Sequence, residues 1–162
     1  MRKKKVDVSV GSSKGFYIGD VCYVLSERNY HRIWGDSRYF ASGKIDIPDD
    51  RGLSFAVATT HDGDGLYEDN EGNLYPVDAA NIGIVPLELC DKWDGLRFGR
   101  VVQCSGEAGF KALDGVFDIT LPDGREINID TGYWVREPFI PHAPYDRDEL
   151  MRPEYPGNGG QP

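Results

Sequence analysis

A chain of 162 residues is the size of one domain at ~150 residues per domain, long enough to bury a core without disulfides or metals and too short for two domains of ordinary size. Hydrophobic residues at 40%, charged at 28% and aromatic at 12% exclude a disordered chain. With 27 Asp+Glu against 18 Lys+Arg the net charge is -9, which argues against direct binding to nucleic acid or an anionic membrane, the more so because Arg2, Lys3, Lys4 and Lys5 collect their positive charges at one tip.

That tip runs into Val-Asp-Val-Ser-Val rather than an apolar stretch, so no secretory signal is predicted, and every later apolar run is broken by Asp, Gly or Pro before it could span a bilayer. Three widely spaced cysteines, Cys22, Cys90 and Cys104, do not form the even, dense set of a secreted disulfide scaffold. The expectation is a cytoplasmic protein with reduced thiols.

Taken in chain order, Val6, Val8 and Val10 alternate with polar residues as in a half-buried strand, and the Gly11–Gly15 turn leads into a second strand over Phe16–Leu25, aromatic and β-branched throughout. Ser26 caps a short helix over Glu27–Trp34 that Gly35 stops. A strand is expected near Lys44–Ile47, ended by Pro48 and Asp49–Asp50, and another over Leu53–Thr60. Thr60–Gly65 is a glycine-rich loop feeding a hairpin whose arms carry Tyr67 and Tyr75. Asn81–Val85 is a strand, and Pro86 opens a short turn of helix. Strands follow over Leu96–Cys104, Phe110–Leu113 and Val116–Leu121, and Pro122-Asp-Gly124 turns the chain into Glu126–Asp130. Many short strands with little helix predict a mainly β fold, an antiparallel sandwich or partly closed barrel with one or two short helices. The domain is expected over 1–137, with 138–162 a Pro/Gly-rich extended or disordered tail.

The segment that draws attention for function is acidic and turn-rich. From Lys44 to Ala80 the acids Asp46, Asp49, Asp50, Asp62, Asp64, Glu68, Asp69, Glu71 and Asp78 face only Lys44 and Arg51. Carboxylates beside His61 offer oxygen ligands for a divalent metal, with Asp62 and Asp64 as the nearest pair. Leu66 and Asn73 stand where an EF-hand needs ligands, however, and Asp and Gly also recur in tight turns for backbone reasons alone. Tyr67 and Tyr75 fit either a ligand groove or a cross-strand pair that stabilises the hairpin. The candidate ligand-binding set is therefore His61, Asp62, Asp64, Tyr67, Asp69, Tyr75 and Asp78. No nucleophile motif such as Gly-x-Ser-x-Gly occurs, no catalytic residue is assigned, and Gly11–Gly15 opens a strand rather than the helix a phosphate loop requires.

Three ordered motifs, Gly19-Asp-Val-Cys-Tyr-Val-Leu25, Gly63-Asp-Gly-Leu-Tyr67 and Tyr75-Pro-Val-Asp-Ala-Ala-Asn-Ile-Gly-Ile-Val-Pro86, resemble a family of short hypothetical proteins from bacteria and their phages. In that family the first motif usually reads Gly-Asp-Pro-Cys-Tyr, and the third reads Val-Asp-Ser/Ala-Gly before Ile-Gly-Ile-Val-Pro. Here Val21 replaces the Pro and Ala80-Asn81 falls near the Gly. The resemblance implies a lineage and no catalytic residues. Together these readings favour a non-enzymatic binding protein, a phage or prophage accessory (counter-defence) factor that binds a small molecule or a host protein without a cofactor. The alternatives are a divalent-metal hydrolase built on the His61–Asp64 loop and a virion or assembly subunit.

Overall fold

The computed structural model describes residues 5–34, 42–48, 52–133 and 135. The basic positions 2–4, Gly35, the Asp49–Asp50 turn and the 138–162 tail lie outside them.

The protein is mainly β, as expected, and its strands pair antiparallel. In chain order they are β1 (Lys5–Ser12), β2 (Phe16–Gly19), β3 (Gly43–Asp46), β4 (Ser54–Thr59), β5 (Gly65–Glu68), β6 (Leu74–Val77), β7 (Asn81–Pro86), β8 (Arg100–Val102), β9 (Gly106–Leu113), β10 (Val116–Thr120) and β11 (Glu126–Asp130). One sheet runs β1-β9-β10-β11 and a second β3-β4-β7-β2-β8, with β5-β6 as a separate hairpin and, among the described residues, no closed barrel. The first sheet alternates: Val6, Val10, Ala108, Phe110, Ala112, Phe117, Ile119, Ile127 and Ile129 point inward, while Lys5, Asp7, Lys111, Asp118 and Glu126 face water. The inward residues meet Phe16, Ile18, Ala56, Ala58, Ile82 and Ile84 of the second sheet in one core, the interior of a sandwich.

The central strands of the second sheet, β4, β7 and β2, do not alternate, because both of their faces are covered. Tyr17, Phe55, Val57 and Val85 on its far face pack with Val21, Val24, Leu25, Ile33, Leu89 and Leu96 in a second core. The helical segments make this third layer: α1 (Glu27–His31) and the 3-10 turns Val21–Tyr23, Leu87–Leu89 and Trp93–Phe98. Ser26 caps α1 as predicted, accepting from Asn29 N–H at 3.1 Å, but the α-helix ends at His31, short of Trp34.

Two expected strands are corrected. The run Phe16–Leu25 leaves the sheet at Gly19, where a Cβ would come within 2.7 Å of the Tyr17 hydroxyl and 3.1 Å of the Gly99 Cα, and Asp20 then caps a 3-10 turn. Cys22 accordingly sits in that turn, half-buried, and not in a strand. Of Leu96–Cys104 only Arg100–Val102 is strand, since Leu96 and Phe98 belong to a 3-10 turn in which Phe98 stacks on Tyr23 at 4.4 Å. No helix among the described residues is long and apolar enough to cross a membrane.

Candidate functional site

The loop from Thr60 to Gly65 leaves β4 and enters β5 at one end of the sandwich, and its backbone is fastened from several directions. The Thr60 and Tyr67 hydroxyls both donate to the Gly63 carbonyl at 2.7 Å. His61 N–H donates to Thr131 Oγ1 at 2.7 Å, and that hydroxyl in turn donates to the Gly115 carbonyl at 2.6 Å. Gly115 is obligatory here: its φ is +81°, and a Cβ would lie 2.5 Å from the backbone nitrogen of His61.

The turn after β6 lies beside this loop. Ala80 adopts φ +56°, and its N–H donates to Asp64 Oδ1 at 2.9 Å. Beneath it Asp20, which is wholly buried, accepts Asp78 N–H and Ala79 N–H on Oδ2 at 2.7 Å each and Cys22 N–H on Oδ1 at 2.9 Å. Asn81 Oδ1 takes Val21 N–H at 3.1 Å, and its side-chain amide donates to the Ala79 carbonyl. Asp20 and Asn81 therefore knit the Gly19–Leu25 motif to the Tyr75–Pro86 motif through backbone donors. Burial pushes the Asp20 carboxyl above its ordinary range, although the three N–H groups pull the other way.

The seven candidate residues divide into two sets. His61, Asp62, Asp64 and Asp78 are exposed, with His61 Nδ1 2.9 Å from Asp62 Oδ1. Tyr67, Asp69 and Tyr75 are buried. Tyr67 and Tyr75 do face each other across the hairpin, but their rings lie in the sandwich core, so they hold the hairpin to the body instead of flanking a groove. Asp69 is likewise engaged in structure. Its carboxylate accepts from the Tyr75 hydroxyl at 2.6 Å, from Glu71 N–H at 2.8 Å and from Asn73 N–H at 2.9 Å, and Arg100 approaches it at 3.3 Å while reaching Glu71 at 2.8 Å. Burial would raise the Asp69 carboxyl, but the bonds from Tyr75, Asn73 and Glu71 outweigh it and hold it below its ordinary range. Burial and then Asp69 drive the Tyr75 hydroxyl far upward.

Among the described residues no group of three or more His, Cys, Asp or Glu is placed to hold a metal ion, and Asp64 is already engaged by Ala80. Two of the thiols, Cys22 and Cys90, are poor nucleophiles as placed. Burial, then Asp20, push Cys22 far above its usual value, and burial, then Glu88, push Cys90 up to about 12. Tyr30 borders the acidic end: burial, then Cys22 and Asp20, raise its hydroxyl, Asp64 adds a smaller push, and Trp34 hydrogen-bonds it.

The sequence reading overlooked Asp20, Asn81, Thr131 and Arg100. Asp20 and Asn81 lie inside the quoted motifs, and an Asp directly after a glycine-ended strand is a capping signal. Thr131 and Arg100 act across the sandwich, and no local pattern marks them. Comparisons with family models, with curated proteins and with solved structures return no match.

Proposed function

We propose that this chain is a non-enzymatic binding protein that recognises a host protein through a basic surface on that partner, using the exposed face formed by His61, Asp62, Asp64 and Asp78. The observation that carries the reading is the division just described. The backbone of the loop and of the neighbouring turn is fastened by Thr60, Tyr67, Thr131 and Asp20, while the acidic side chains are left facing outward. A rigid, charged loop on a β scaffold loses little conformational entropy when it binds, and its charge steers a partner of opposite sign. The inward placement of Tyr67 and Tyr75 favours a macromolecular partner over a small molecule stacked between two rings. Resemblance to short bacterial and phage proteins supports a phage or prophage accessory role in the cytoplasm, where the three cysteines would stay reduced.

The test compares proteins of a bacterial extract retained by the immobilised chain with those retained by Asp62→Asn/Asp64→Asn/Asp78→Asn and by a control on the opposite sheet, Asp7→Asn/Glu126→Gln. The reading expects a partner held by the wild type and the control, lost with the triple variant, and released as salt is raised. Identical retention by all three proteins would overturn it. A divalent-ion increase in melting temperature abolished by Asp62→Asn and Asp64→Asn would point instead to the metal-dependent hydrolase.

A further inference from the structure

The chain contains five Asp-Gly steps, at Asp62, Asp64, Asp94, Asp114 and Asp123. Each could in principle close on itself, because the glycine amide nitrogen can attack the preceding side-chain carboxyl without steric hindrance from a Cβ. The fold treats them differently. Gly95 is buried in a 3-10 turn, with its N–H on the Lys92 carbonyl at 3.1 Å. Gly124 N–H is held by the Leu121 carbonyl at 2.9 Å, and the Asp123 carboxylate accepts from Arg125 N–H at 3.0 Å. Gly115 is buried under His61, its carbonyl taking both the N–H and the hydroxyl of Thr131. Gly65 is buried in β5 opposite Val77, and Asp64 is bound to Ala80 N–H.

Gly63 shares a positive φ and an open Cβ position with Gly124, and its carbonyl is held by the Thr60 and Tyr67 hydroxyls, but among the described residues its N–H, unlike those of Gly95 and Gly124, donates to no carbonyl. Asp62 is exposed, Gly63 has φ +79° with no heavy atom within 4 Å of where a Cβ would stand, and the Asp62 carboxylate is met by the His61 ring at 2.9 Å. There is room for a five-membered ring, and an imidazole nitrogen lies 2.9 Å from the oxygen that must leave.

We propose that Asp62–Gly63 is a site of spontaneous backbone modification, where the aspartate converts through a succinimide to an isoaspartyl linkage. The Gly63 N to Asp62 Cγ bond forms and the Cγ–Oδ1 bond breaks. Oδ1 leaves as water, carrying the Gly63 amide proton and a proton taken from the medium and relayed through the His61 ring. Water then adds to either imide carbonyl, and ring opening restores the carboxylate and returns a proton to the medium. Opening at one carbonyl regenerates aspartate, and opening at the other leaves the chain passing through the former side chain. No oxidant or cofactor enters. The product carries one extra methylene in the backbone of the loop and a carboxylate moved off its original stem, and the chemistry stands whether or not that loop binds a partner.

The experiment incubates the folded chain at 37 °C and neutral pH for several weeks and maps isoaspartate by peptide mass spectrometry with electron-transfer fragmentation, alongside Asp62→Glu, His61→Gln and a urea-unfolded sample. Isoaspartate should accumulate at position 62 at least about tenfold faster than at 64, 94, 114 or 123 in the folded chain, because the folded backbone sets how easily each glycine nitrogen reaches the carboxyl before it. It should spread over all five positions once the chain is unfolded, disappear from position 62 in Asp62→Glu and slow in His61→Gln. Equal accumulation at the other four steps in the folded chain, or none at Asp62 while the unfolded sample reacts, would overturn the proposal. An unchanged rate in His61→Gln would overturn the proton-donor role of the ring.

Discussion

Single carboxylates decide much of this structure, and their contributions can be separated by what each one accepts. Asp20 is buried and satisfies three backbone N–H groups drawn from two segments far apart in sequence. Removing it in Asp20→Ala strands those donors, and since each unsatisfied buried group costs about 1–3 kcal/mol, a loss of roughly 3–5 kcal/mol is expected in urea denaturation. Asp20→Asn, which keeps one oxygen acceptor, should lose less. Glu88 acts at the opposite end. It accepts from Ser12 Oγ, from Ser13 N–H at 2.9 Å and from Ser13 Oγ at 2.8 Å, so the turn rejected as a phosphate loop is bound to an internal carboxylate. Burial alone would raise its pKa, but these bonds lower it from 4.5 to about 2. A depressed folded-state pKa stabilises fully above pH 4.5 and loses that contribution as the pH falls toward 2. Glu88→Gln should therefore cost about 1 kcal/mol at neutral pH, a figure reduced for solvent screening, and the gap from wild type should close across that acidic window in denaturation curves taken at successive pH values.

The β5–β6 hairpin is the element on which the sandwich and the exposed loop both depend. It is tied to β11 by the Asp69–Ile129 bridge and by Asn70, whose N–H donates to the Asn128 carbonyl at 3.0 Å, and to β8 by Arg100. The Tyr75 hydroxyl meets a carboxylate and the Tyr67 hydroxyl a neutral carbonyl, so Tyr75→Phe should cost about 2 kcal/mol and Tyr67→Phe about 1 kcal/mol, with little change in denaturant slope. A reversed order would show that the Asp69 network relaxes around the loss. The hairpin and its Tyr67–Tyr75 register were legible in the sequence, but a period of two tells which residues share a face and not which face turns inward. Strand ends were legible where burial stops at the end of the strand, as in β10 and β11, whose alternation breaks at Pro122-Asp-Gly124. They were hidden where the chain leaves a sheet yet stays buried: Val21, Val24 and Leu25 remain hydrophobic because they enter the second core, and Leu96 and Phe98 are buried before β8 begins. The exposed half of the candidate site came from local turn chemistry, whereas its support from Asp20, Asn81 and Thr131 is long-range and leaves no spacing to read.

Across the whole molecule the net charge of -9 acts against compaction, and the turn-rich acids from Asp62 to Asp78 are part of it. Salt screens that self-repulsion, so the melting temperature should rise by about 2 °C between very low and physiological ionic strength, in the direction opposite to partner retention. A melting temperature that fell with salt would mean that ion pairs such as Arg100 with Glu71 outweigh the repulsion. The topology also dictates an order of assembly. β9, β10 and β11 form a meander of neighbours, but β1 completes their sheet by pairing Lys5 with Leu113 and Ser12 with Gly106, partners at the far end of the described chain. On a ribosome, where the chain emerges from its N-terminus, β1 is made early and waits unpaired until nearly every other strand has been synthesised. During that wait its Val6, Val8 and Val10 stripe is open to the solvent, and Lys5 and Asp7, the charged residues alternating with it, are what guard a nascent chain against pairing with its neighbours.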